Sequence, residues 1–151
     1  KLATQSDYGD NPIDYTASMY SVALAKSFGK ITASTGFESL GSDGGTMGFR
    51  TPLATLHKFQ GTADKFLVTP AGGVDDFYFG LAGKVGKLKL AATWHELSAA
   101  ETSAEYGSEL DLVATLPLSK KASAQLKYAH YQSDGFATDT SKVWLTLSAK
   151  L

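Results

Sequence analysis

The 151 residues carry 14 Lys and Arg against 15 Asp and Glu, a net charge of −1 with no basic stripe, so nucleic acid is not an expected partner. Cysteine is absent, which removes disulfide frameworks, thiolate metal centres and cysteine nucleophiles together. There is no run of ~18 apolar residues to form a membrane-crossing helix, a criterion that leaves β-barrels open because their strands need only ~9–11 alternating residues.

Taken in chain order, the segments alternate with a period of two. Residues 1–5 look like the tail of a strand; no secretory leader is visible at "KLATQSDYGD", so the chain is expected to be mature or cut from something longer. In residues 19–28, Tyr20, Val22, Leu24 and Phe28 share a face, interrupted by Lys26. In 30–40, Ile31, Ala33, Thr35 and Phe37 oppose Thr32, Ser34, Gly36 and Glu38. Further on, Phe77, Phe79, Leu81 and Val85 oppose Asp76, Tyr78 and Lys84, and Leu88, Leu90, Ala92 and Trp94 oppose Lys89, Thr93 and His95. Leu110, Leu112, Ala114 and Leu116 then oppose Glu109, Asp111, Val113 and Thr115. The last two strands set Leu126 and Tyr128 against Lys127 and Tyr131, then Val143, Leu145, Leu147 and Leu151 against Trp144, Thr146 and Lys150.

Seven full strands and part of an eighth are therefore expected, joined by turns of alternating length. Short turns stand at "FGK", "VGK" and "LSKKA"; long ones occupy 6–18, 41–73, 98–106 and 133–140. One rim is trimmed and the other elaborate, the layout of outer-membrane barrels with short periplasmic turns and long outer loops. The fold class expected is all-β, an antiparallel transmembrane β-barrel of which about eight strands are seen. A soluble barrel with its apolar face turned inward also alternates. The membrane alternative is favoured by a polar face rich in Ala, Ser, Thr and Gly. It is also favoured by aromatics near strand ends, Tyr20, Phe28, Phe37, Phe77, Trp94 and Tyr128, where lipid-interface girdles would place them. Lys26 and His130 then fall on the lipid side, tolerable near an interface.

"TPLATLHKFQGTADKF" (51–66), the following "TPAGGVDDFYFGLAGKVGKLKLAATWHEL", "YGSELDL" and "SKVWLTLSAKL" resemble the C-terminal portion of outer-membrane porins of the alginate-export type, and "QSDYGDNP" resembles one of their loops. The resemblance implies a larger barrel of near eighteen strands, passing anionic polysaccharide or small solutes through a charged lumen, with N-terminal strands missing here. Leu151 stands where such strands usually end in Phe or Trp.

The 41–73 segment holds a helix-like "LATLHKF" that would either fold inward, presenting Arg50, His57, Lys58 and Lys65 to passing anions, or pack over the mouth on Leu53, Leu56, Phe59 and Phe66. On the polar face, Lys84, Lys87, Lys89, Lys127, Lys142 and Lys150 would form a track for a polyanion, or pair with Glu38, Asp76, Glu109 and Asp111 inside a plugged lumen. His57, His95 and His130 lack metal-type spacing, Ser98 and Ser103 near His95 give a weak catalytic signal, and the carboxylates of "SDGG" and "QSDYGDNP" match no defined calcium loop. The expectation is a passive outer-membrane channel with no cofactor and no bond-making chemistry.

Overall fold

The computed structural model describes residues 1–51 and 60–150. Among these there is no helix. The strands are β1 (Leu2–Ser6), β2 (Thr16–Phe28), β3 (Ile31–Leu40), β4 (Ser42–Asp43), β5 (Met47–Gly48), β6 (Val74–Val85), β7 (Leu88–Ser98), β8 (Glu105–Pro117), β9 (Ala122–Ser133) and β10 (Thr140–Ala149). Eight of them form one antiparallel sheet in the order β1-β2-β3-β6-β7-β8-β9-β10, while β4 and β5 pair separately. The alternation of short and long connections fixes this order. Gly29 and Gly86, at φ +61° and +60°, supply the left-handed first residue of the two-residue turns β2–β3 and β6–β7.

Two features depart from the sequence expectation. β4 and β5 form a small hairpin over "SDGGTMG", which reads from sequence as a plain loop; Gly44 and Gly45 both have positive φ. The large strands also run farther towards the elaborate rim than the alternation suggests. β8, for example, begins at Glu105 rather than near Glu109, because past that point its outward residues become polar and the period-two signal ends. The helix-like 53–59 segment and Leu151 lie outside the described residues.

One face of the sheet is apolar and uncovered. Leu24, Leu145 and Leu147 are 71%, 70% and 71% exposed, and Phe77, Phe79, Leu81 and Trp94 share that face. The total accessible surface is 9490 Å²; a compact 16.0 kDa monomer would expose about 7,400 Å². The small buried core instead lies on the other face, where Phe49, Ala63 and Phe66 of the long connection meet Leu40, Val74, Leu97 and Tyr131.

The apolar band runs obliquely to the hydrogen-bonded rows. Its upper edge is marked by the cross-strand pairs Leu2–Tyr20, Phe37–Phe77, Trp94–Leu110 and Tyr128–Val143. Immediately above each, towards the elaborate rim, stands a polar pair: Thr4–Ser18, Ser39–Asp75, Glu96–Ser108 and His130–Ser141. Between successive pairs the edge drops by one row of outward residues, since Tyr20 faces Ser39, Phe77 faces Glu96 and Leu110 faces His130. The edge therefore falls by one residue per strand. At ~3.3 Å per residue and ~4.8 Å between strands, that slope is about 35°.

The sheet is open. Neither β1 nor β10 has a second partner strand among the described residues, so these eight strands do not themselves close into a barrel.

Candidate functional site

The alternation that puts leucines outward puts a polar array on the opposite, concave face. A cleft of ≈ 550 Å³ is lined there by residues from five adjacent strands, including Ser21, Glu38, Tyr78, His95 and Asp111. The register sets Glu38 beside Asp76, places Tyr78, His95, Glu109 and Tyr131 along one row, and Thr93, Asp111, Ala129 and Lys142 along the next. Asp76, His95, Glu109 and Asp111 are all buried. His95 Nδ1 sits 2.9 and 3.1 Å from the two Asp76 oxygens, and its Nε2 is 3.9 Å from Asp111 Oδ2. This ring is bracketed by carboxylates. Ser98 and Ser103 are not among its hydrogen-bond partners, so the weak catalytic signal is not assembled around it.

The long connection folds onto this array. Gln60 Nε2 donates to Glu38, the Thr62 N–H donates to Asp111 Oδ2 (3.1 Å) and the Thr62 hydroxyl to Oδ1 (2.5 Å), and the Ala63 N–H donates to Glu109 Oε1 (2.6 Å). Asp64 pairs with Lys142 at 2.8 Å. Four of the five residues 60–64 thus reach strands β3, β8 and β10, so the segment crosses the concavity. Charge-assisted hydrogen bonds of this kind are roughly twice as strong as neutral ones. Beyond them Phe66 stacks on Tyr106 and Phe136, with ring centroids 5.7 and 5.1 Å apart, and meets Tyr131 edge-on at 6.2 Å. The Tyr131 hydroxyl donates to the Tyr106 and Phe136 carbonyls, which ties the β9–β10 connection to the same cluster.

Among the described residues the expected constriction candidates do not converge on one point. Lys65 Nζ lies 5.6 Å over the Tyr131 ring. Arg50 is held through its backbone by Gln5 (2.8 and 3.4 Å), and its guanidinium lies 3.4 Å from Met47 Sδ. His57 and Lys58 lie outside the described residues. Glu109 is an anchor sealed beneath the loop, whereas Asp111 is both held by the loop and part of the cleft lining. Lys84 and Lys89 are direct cross-strand partners at the trimmed end, exposed on the uncovered half of the polar face, and Lys127 is half-buried farther along it. Residues 60–66 lie over the concave face with Phe66 against Tyr106, Tyr131 and Phe136, while the helix-like 53–59 on which both alternatives for the loop rest lies outside the described residues.

On the outer face, five of the six expected interface aromatics, Tyr20, Phe37, Phe77, Trp94 and Tyr128, are the uppermost apolar residues of their strands, while Phe28 alone stands at the trimmed end. Lys26 lays its ammonium 5.4 Å over Phe28, and His130 Nδ1 is 2.9 Å from Ser141 Oγ. The loop carboxylates considered for calcium cap backbone instead: Asp7 accepts from the Tyr15 N–H and Asp43 from the Thr16 N–H. Among the described residues no group of three or more His, Asp or Glu is placed to hold a metal ion. Sequence reasoning missed Gln60, Thr62 and Ala63, two of which act partly or wholly through backbone N–H groups that carry no residue-type signal. The glycine and small polar run "QGTAD" was the available hint.

Family models, curated proteins and solved structures were all compared with the chain, and none matches it.

Proposed function

We propose that this chain is part of the wall of an outer-membrane β-barrel, an alginate-export-like porin through which anionic or sugar-like solutes diffuse passively, with membrane lipid against the apolar face. The observation that carries this is the oblique apolar band edged by aromatics. Strands in membrane-spanning barrels are tilted by roughly 35–45° to the barrel axis. A bilayer of constant thickness must therefore cut across the hydrogen-bonded rows at that angle, as the band does at about 35°. A soluble barrel, with its apolar face turned inward, has no reason to carry such an outward band. On this reading the unpaired edges of β1 and β10 take further strands of the same barrel, the polar face becomes lumen and the inward loop its constriction.

A second reading, a barrel without a pore, draws support from the carboxylate-anchored loop and its aromatic core, which fill the elaborate half of the concavity. A denaturing gel of the purified protein, heated and unheated in SDS, is the first test, followed by conductance in a planar bilayer. The channel reading expects a heat-dependent mobility shift, a heated band well above 16.0 kDa and measurable conductance. A shift at 16.0 kDa without conductance supports the plugged barrel. A protein soluble without detergent, with no shift, overturns both.

A further inference from the structure

We propose that the cleft beside the inward loop discriminates against anions, so that uncharged, hydroxyl-rich solutes of sugar size pass in preference to acidic ones. The inference rests on the channel reading and narrows its solute class. Three observations support it. First, Glu38, Asp76 and Asp111 line the cleft, which at ≈ 550 Å³ falls within the roughly 300–1,000 Å³ typical of small-molecule sites. Of the described lining residues, Lys1 alone is a permanent cation, while His95 adds positive charge only when protonated. Lys65 and Lys142 are turned to the Tyr131 ring and to Asp64.

Second, beside those carboxylates the lining holds Ser21, Gln60, Thr62, Tyr78 and Thr93, whose hydroxyl and amide groups can bond the uncharged hydroxyls of a solute. Third, the lysines nearest the trimmed rim stand apart from the carboxylate cluster, while Lys65 and Lys142 lie beside it. Lys84 and Lys89 stand opposite one another near the trimmed rim, in a separate cleft with Lys30, Thr32 and Thr115. An anion drawn to those lysines meets the carboxylates at the level of the loop. The acceptors there, together with Thr93, Tyr78 and Gln60, match the hydroxyls of a neutral sugar.

Liposome swelling with the intact protein tests this, using glucose, glucuronate and glucosamine as matched permeants at neutral pH. The expected order puts glucosamine and glucose ahead of glucuronate. Glu38→Gln and Asp76→Asn should each raise the glucuronate-to-glucose ratio by about two- to tenfold, the scale of removing one charge from a partly screened passage. Glucuronate permeating as fast as glucose through the unaltered protein overturns the inference and leaves the channel standing. So do both variants, showing the heat-dependent gel shift of the parent, with the ratio unchanged. No swelling with any permeant overturns the channel reading, and the solute selectivity with it.

Discussion

Gly61 occupies φ +83°, and a Cβ built on it would come within 2.5 Å of the Glu109 carboxylate. The left-handed conformation costs an L-residue roughly 1–2 kcal/mol, and Glu109 is pinned by the Ala63 N–H and cannot swing clear freely. Gly61→Ala should therefore lift the loop while sparing the strands. Faster cleavage by trypsin at Lys65, with an unaltered gel shift, is the outcome to expect; unchanged cleavage would show that the loop tolerates the methyl. At Thr62 the hydroxyl bond to Asp111 can be removed without touching the backbone. A hydrogen bond to a charged group contributes about 1.5–3 kcal/mol. Thr62→Val is expected to weaken loop protection by that order in proteolysis or hydrogen exchange, and Thr62→Ser to restore it. None of this was legible residue by residue. Two of the loop's bonds to the strands come from main-chain N–H groups, and those acquire partners only when β8 is folded beneath them.

Among the strands, the outward face was readable because leucine and phenylalanine recur every second residue with little interruption. The polar face was readable as polar, yet the gathering of Glu38, Asp76, Glu109 and Asp111 towards one end of it was not, since that follows from the register of four strands at once. The slope of the apolar band was hidden for the same reason. It has a direct test. Phe77 and Ser108 belong to one row, linked through Glu96, but lie on either side of the band's edge. In lipid vesicles an outward arginine costs ~2–4 kcal/mol at the bilayer midplane and ~0–1 near an interface. Leu112→Arg should thus destabilise the protein by at least about 1 kcal/mol more than Ser108→Arg, with Phe77→Arg between the two. Equal costs along the row in equilibrium unfolding would mean that the band does not follow a membrane.

For the whole molecule, the question is what lies against the outer edges of β1 and β10. Exposed edges present unpaired N–H and C=O groups and are templates for further pairing. On the proposed reading, additional strands of the same barrel occupy both. Hydrogen exchange on the intact protein separates the cases: outer-edge amides of β10 should exchange as slowly as those of β7 where the sheet is closed, and orders of magnitude faster where the edge is free. The strand number of the large sheet and the alternation of turn length were legible because each strand alternates with period two and glycine marks the tight turns, whereas the β4–β5 hairpin was not. The open edges were not, since alternation specifies faces and is silent about which strand comes next to the first or last.

The connection between β3 and β6 has a kinetic consequence. All neighbours in the large sheet are consecutive in the chain, so pairing is local everywhere except across residues 41–73. Relative to a two-residue turn, that gap is about four doublings of loop length, or roughly 2.5 kcal/mol of extra closure entropy. The bonds from Thr62 and Ala63 that offset it need Asp111 and Glu109, which lie on the third strand after β3 in sheet order. The hairpins β2–β3, β6–β7 and β8–β9 are accordingly expected to form early and separately, leaving the seam between β3 and β6 to zip late, once β8 is in place. Assembly would then be nucleated at the trimmed rim and completed by the loop, which acts as a clasp drawn shut by the wall it crosses.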